Sequence, residues 1–126
     1  MKIILLISIA GVVGTLTRYF SVKALNAFVQ ESFWATLSIN VLGSFIAGFC
    51  FILCKNKFSA YQEYFPILFI GFLGAFTTFS TFALESCRYL FDAQYSKFCL
   101  NVLLHNSCGI GAASIGFYLA KLFFKN

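Results

Sequence analysis

Apolar positions run along this chain in four long stretches, and charged positions gather in the short segments between them. No Asp, Glu, Lys or Arg occurs from Ile3 to Thr17, from Ser32 to Cys54, from Tyr64 to Leu84 or from Phe98 to Ala120. A helix needs about 20 mostly apolar residues to cross a bilayer. The last three stretches meet that length outright. The first meets it if Arg18 and Lys23 snorkel toward an interface. The pattern therefore predicts four membrane-spanning helices, at about 3–24, 33–54, 65–90 and 98–122. Helices are expected because each closes its own backbone hydrogen bonds in lipid. The alternating ten-residue strands of a membrane barrel are absent. The expectation is an all-α membrane protein, a single four-helix domain over residues 1–126.

Composition strengthens this picture. The chain is 60% hydrophobic and 10% charged, where a soluble domain carries roughly a quarter charged residues. So short a chain has too little interior to hide that much apolar surface from water. The first stretch has no clear small-residue cleavage site, and three further stretches follow. It is therefore read as a span and not as a secretory signal. No basic patch interleaved with loop aromatics points to nucleic acid. The five cysteines, Cys50, Cys54, Cys87, Cys99 and Cys108, show no zinc-type spacing and read as small packing residues.

Charge placement bears on orientation, which follows the Lys and Arg near span ends. With four spans, Lys2, Lys55, Lys57, Lys121 and Lys125 share one side, while Arg18, Lys23, Arg88 and Lys97 lie on the other. Five against four is almost no bias. It permits insertion both ways, and hence pairing of two opposed copies. Small residues mark contact faces in every span: Gly11 and Gly14, then Ser44 and Gly48, then Gly71 and Gly74, then Ser107, Gly111 and Gly116.

Polar residues inside a membrane are costly unless paired or lining water, so they are candidates for function. Asn40 sits mid-span in the second stretch. Asn101, His105 and Asn106 cluster in the fourth. Either group also suits simple hydrogen bonding between helices. The third stretch is richer: Gly71-Phe72-Leu73-Gly74-Ala75-Phe76-Thr77-Thr78-Phe79-Ser80-Thr81-Phe82. Two glycines followed by a hydroxyl-rich run weaken a helix and predict a non-helical break near mid-membrane. Such a break exposes carbonyls and amides that can hold ions. Thr77, Thr78, Ser80 and Thr81 can donate hydroxyl hydrogen bonds to an anion. Phe79 and Phe82 can share a face and offer positive ring edges. Glu85 and Arg88, an i,i+3 pair, close the span and are expected to compensate each other. No acid–base dyad or activated nucleophile is visible, so no enzyme is expected. The identity of the ion does not follow from these residues.

The motifs do resemble a known family. Gly11-x-x-Gly14-x-x-x-Arg18, Asn40-Val41-Leu42-Gly43-Ser44 with Gly48, and Gly71-x-x-Gly74 followed by Thr77-Thr78-Phe79-Ser80-Thr81-Phe82 and Glu85 are similar, in order and separation, to the CrcB/Fluc family of fluoride channels. The third block is the most specific. The resemblance implies an antiparallel, dual-topology homodimer with two fluoride pathways. It also implies a structural sodium ion at the dimer centre, held by the backbone carbonyls of Gly74 and Thr77. It places Asn40, Phe79, Phe82, Ser80, Thr81 and Glu85 along the fluoride pathway and Arg18 near its vestibule. Asn101 and His105 are left as supporting residues. Ala75 stands where many members carry a second glycine, and its small side chain leaves the carbonyls available. The implied function is passive fluoride efflux from the cytoplasm, across a bacterial plasma membrane, to relieve fluoride toxicity. Two alternatives compete. A small multidrug transporter would need a carboxylate in the first span, which has no Asp or Glu. A non-transporting scaffold subunit would leave the hydroxyl and phenylalanine strip unexplained.

Overall fold

The computed structural model describes residues 1–124, with backbone alone at Lys57 and residues 59–61. Lys125, counted above in the charge balance, lies outside the described residues, as does the side chain of Lys57. Helix α1 covers Lys2–Asn26 and α2 covers Ser32–Lys57. A 3-10 turn at Ser59–Tyr64 leads into a π-helical stretch, Ile67–Leu73. A single α-turn, α3 (Gly74–Phe76), follows directly, and α4 spans Phe79–Phe91. Helix α5 closes the chain at Tyr95–Phe123. Among the described residues, four segments are long and apolar enough to cross a membrane: α1, α2 to Asn56, the stretch Gln62–Phe91, and α5. Each end lies within three residues of the span end expected from the sequence. Among the described residues there is no strand.

The helices pair in two ways. Helix α5 lies along α2, and α1 lies along the π-helical stretch and α3. Helix α4 then leans on α5 and α2. Glycine permits both close approaches. A Cβ at Gly48 would overlap the Ala113 carbonyl, and one at Gly116 would overlap the Phe45 carbonyl. On the other seam, Gly14 lies against the Phe72 carbonyl, and a Cβ at Gly71 would come within 2.8 Å of Ala10 Cβ. The wider π turn fits here. The Gly74 N–H reaches back to the Phe69 carbonyl, and the swollen turn presents Gly71 to α1. Gly11 makes only ordinary contact, and Gly111 has open space around it, so the small-residue faces are used unequally within one chain.

The core is thin and lies mainly on the first half of α2, where Phe33, Ala35, Leu37 and Ile39 are buried. Most large apolar residues of α1 face outward, among them Ile4, Leu5, Ile9, Val12 and Leu16. In water that surface would drive aggregation; in lipid it is the solvated face. Outside the apolar zone, Lys97 Nζ lies 2.7 Å from Glu31 Oε1 and Tyr89 Oη donates to Glu31 Oε2 at 3.1 Å. The Lys97 hydrogen bond holds the Glu31 carboxyl below its ordinary range. This cluster ties the loop after α1 to the start of α5.

Replacing Gly48 or Gly116 with alanine tests the α2–α5 seam. Alanine gains up to about 1 kcal/mol of helix propensity over glycine. Overpacking against a backbone carbonyl costs about 1–3 kcal/mol or more. Both variants are therefore expected to melt at lower temperature than the parent in detergent, with helical circular dichroism retained before the transition.

Candidate functional site

Within the stretch Gln62–Phe91, two neighbouring residues have non-helical dihedrals. Thr77 (φ −81°, ψ 159°) and Thr78 (φ −146°, ψ 106°) are extended, between the end of α3 and the start of α4. Extended backbone at this depth leaves peptide groups that lipid cannot satisfy. Side chains from the other helices satisfy them. Asn40, on α2, donates from Nδ2 to the Thr78 carbonyl (3.1 Å) and accepts from the Thr78 N–H at Oδ1 (2.8 Å). Its amide thus stands in for a peptide group on both sides of one residue. Arg18, on α1, donates from Nη1 to the Thr77 carbonyl at 3.2 Å. Thr77 Oγ1 donates back to the Leu73 carbonyl at 2.9 Å, closing the end of α3.

The start of α4 is built from hydroxyls. Thr78 is the N-cap: its Oγ1 accepts from the Thr81 N–H at 3.3 Å and lies 2.9 Å from Thr81 Oγ1 and 3.4 Å from Ser80 Oγ. This satisfies one of the orphan donors of the first turn. The remaining N–H groups and the positive end of the helix dipole favour negative charge nearby. Phe79 is 77% exposed and its ring centroid lies 5.5 Å from that of Phe82.

Thr78 lines two cavities. One, of about 370 Å³, is lined by Asn40, Thr78, Phe79, Phe82, His105 and Asn106 among others, with Gly74 and Thr77 on its wall. The second, of about 500 Å³, carries Arg18, Lys23, Thr36, Thr78 and Thr81, so its charge is positive. A third space, of about 410 Å³, opens at the outer end between Glu31, Glu85, Arg88 and Lys97. The structure thus gathers eight of the nine sequence-predicted residues onto cavity walls: Asn40, Phe79, Phe82, Gly74 and Thr77 on the first, Arg18 and Thr81 on the second, Glu85 on the third. Ser80 is exposed beside Thr78, on none of these three walls.

One expectation is corrected. Glu85 does not pair with Arg88. It is buried and its Oε1 accepts from Ser32 Oγ (2.9 Å) and Thr36 Oγ1 (3.0 Å), while Oε2 has no protein partner. The i,i+3 spacing made an Arg88 pair available, but Arg88 is exposed and α2 presents two hydroxyls a turn apart. Ser32 and Thr36 were missed as site residues. Their i,i+4 spacing on a helix beside an intramembrane carboxylate was the available signal. Asn101 and His105 are brought together: Asn101 is fully buried and its Nδ2 donates to Ser86 Oγ at 3.1 Å, while His105 Nδ1 lies 3.1 Å from the Asn101 carbonyl.

The clasp is tested by Asn40→Leu, which loses both the donor to the Thr78 carbonyl and the acceptor of its N–H. Leaving a buried peptide group unsatisfied costs about 1–3 kcal/mol each. The Leu variant is expected to melt at lower temperature than the parent. Equal stability of Asn40→Leu and the parent would remove the clasp from this account.

Comparison with known proteins adds an independent line. A family model described as CrcB-like protein, Camphor Resistance (CrcB), matches residues 5–117. A protein of Legionella pneumophila (strain Paris) named fluoride-specific ion channel FluC is 40% identical over 118 residues, covering 93% of this chain and 88% of the relative. A protein of the same name from Magnetococcus marinus is 36% identical over 117 residues, covering 92% of this chain and 95% of the relative. A third, from Campylobacter jejuni (strain RM1221), is 40% identical over 123 residues, covering 94% and 97%.

Proposed function

The chain belongs to the CrcB-like family, and from that premise we propose that it is a fluoride channel whose pathway runs through the two cavities that Thr78 lines. It lets fluoride leave the cytoplasm passively and so relieves fluoride toxicity. The observation that carries the reading is the Asn40–Thr78 clasp. By holding two residues extended, it frees the start of α4 and turns a cluster of hydroxyls, an amide and two phenylalanine rings toward the cavities. Fluoride is small and strongly hydrated, so loss of water is the main barrier to passage. A lane of Thr78, Ser80 and Thr81 hydroxyls, the second Asn40 amide hydrogen and the ring edges of Phe79 and Phe82 replaces that water stepwise. Arg18 and Lys23 draw the anion into the basic cavity. Glu85, held by Ser32 and Thr36, borders the way out.

The two extended threonines are read as the break of a single membrane-crossing segment. The assembly is an antiparallel, dual-topology homodimer in the bacterial inner membrane. The near-even charge balance supports this, as does the exposure of Phe79 and of Gly74 in the single chain. A Cβ at Gly74 would meet only the Phe69 carbonyl, at 3.4 Å, so no other element of this chain packs on that position. The residues also fit a structural sodium ion. The Thr78 N–H, which a continuous helix would direct to the Gly74 carbonyl, goes to Asn40 instead. The Thr77 carbonyl keeps one lone pair beyond the Arg18 bond. Hard cations take such oxygen ligands. The ion would tie the two copies together at the break.

The test is fluoride release from proteoliposomes loaded with potassium fluoride, started by valinomycin and followed with a fluoride electrode. Rapid fluoride release with chloride retained is expected, strongly reduced in a Phe79→Ile protein. Absence of release from well-folded protein would overturn the channel reading. The dimer and the sodium ion are checked separately. The detergent-solubilised protein should have twice the chain mass, and exchanging sodium for a bulky organic cation during purification should lower that mass or abolish release. A monomer under all conditions would remove both.

A further inference from the structure

Phe82 touches two rings, and the two give it unequal support. Phe79 lies 5.5 Å away at a 58° tilt and is itself 77% exposed. His105 lies 4.5 Å away at 35°, closer and more nearly face to face. The imidazole is anchored and Phe79 is not. Its Nδ1 is 3.1 Å from the Asn101 carbonyl. A carbonyl only accepts, so Nδ1 carries a hydrogen. Nε2 is buried without a partner. The imidazole lies over the Phe82 ring at a 35° tilt, held there by the Asn101 bond.

Asn101 reaches Phe82 by a second route as well. Its Nδ2 donates to Ser86 Oγ at 3.1 Å, and Ser86 Oγ donates to the Phe82 carbonyl at 2.8 Å. Asn101 and Ser86 are both buried. Phe82 is therefore held at its backbone through Ser86 and at its ring through His105, with Asn101 at the root of both contacts. The pathway depends on which part of the ring faces an anion, because the edge is positive and the face negative. An imidazole lying over one face leaves the edge for the lane.

We propose that His105 is a specificity-determining positioning residue: it fixes the attitude of the Phe82 ring, so that an edge and not a face meets the transported anion. The inference rests on the reading of Phe82 as part of a fluoride lane. Two measurements are made on the full-length protein in lipid: fluoride and chloride release from proteoliposomes, and nuclear magnetic resonance of ring-labelled phenylalanine, with Phe82 assigned from a Phe82→Leu protein. His105→Gln can still donate to the Asn101 carbonyl but has no ring. His105→Phe has the ring and no nitrogen. His105→Gln is expected to lose about five- to tenfold in fluoride release, the scale of one aromatic contact, with its Phe82 signal shifted and motionally averaged. His105→Phe is expected to restore both. Wild-type release and an unshifted Phe82 signal in His105→Gln would overturn the proposal. So would lost release with an unshifted signal, because His105 would then act by some route other than the ring. If the parent protein releases no fluoride, the channel reading falls, and an unshifted Phe82 signal in His105→Gln would still overturn the ring contact on its own.

Discussion

A peptide group in a hydrocarbon environment must find a hydrogen-bond partner, because the alternative costs several kcal/mol. In this protein that rule acts most strongly at Thr77 and Thr78, where the third crossing segment leaves helical geometry. Helix α2 answers with Asn40 and helix α1 with Arg18. Both must therefore stand at a defined height beside the third segment. Remove the clasp and the Thr78 N–H and carbonyl lose their partners, leaving only Arg18 and the Thr77 hydroxyl to hold the neighbouring residue. The position of the hydroxyl cluster between two cavities follows from the clasp.

Packing in lipid has no hydrophobic drive between helices, so contact area and backbone proximity must do the holding. The α2–α5 seam achieves this with Gly48 and Gly116, each seated on a carbonyl of the opposite helix. The α1 seam uses Gly14 and Gly71, helped by the wide π turn that carries Gly71. These close seams leave a thin core and a largely apolar exterior. They also leave room, away from the seams, for the cavities that the polar residues line.

Polar groups within the spans divide into three sets by what they touch. Asn40, Arg18 and the Thr78 cap face the extended backbone and the cavities. Asn101 and Ser86 join α5 to α4 from behind, and His105 meets Phe82 ring to ring. Glu85 sits where α4 meets α2, with two hydroxyl donors on one oxygen and the other oxygen unpartnered. An acidic group so placed makes its cavity electrostatically different from the basic cavity around Arg18 and Lys23.

The four apolar stretches determined, by themselves, that the chain would form helices long enough to cross a membrane. Length and the closure of backbone hydrogen bonds within a helix leave no other choice, and the spans lie where the uncharged runs lie. Local chemistry in Thr77–Phe82 also made that run a candidate site, since hydroxyls and phenylalanine ring edges together can meet an anion. Partners across helices were beyond the sequence. Glu85 has Arg88 at helical spacing, yet it bonds Ser32 and Thr36 from a segment some 50 positions away, because burial turns the carboxylate inward and Arg88 outward. The use of Gly48 but not Gly111 depends on which helix arrives at which face. That Asn40 would grip Thr78 on both sides, and that His105 would lie against Phe82, depended on the heights at which α2 and α5 pack. Composition and spacing describe one helix at a time; only the packed bundle brings those side chains within bonding distance.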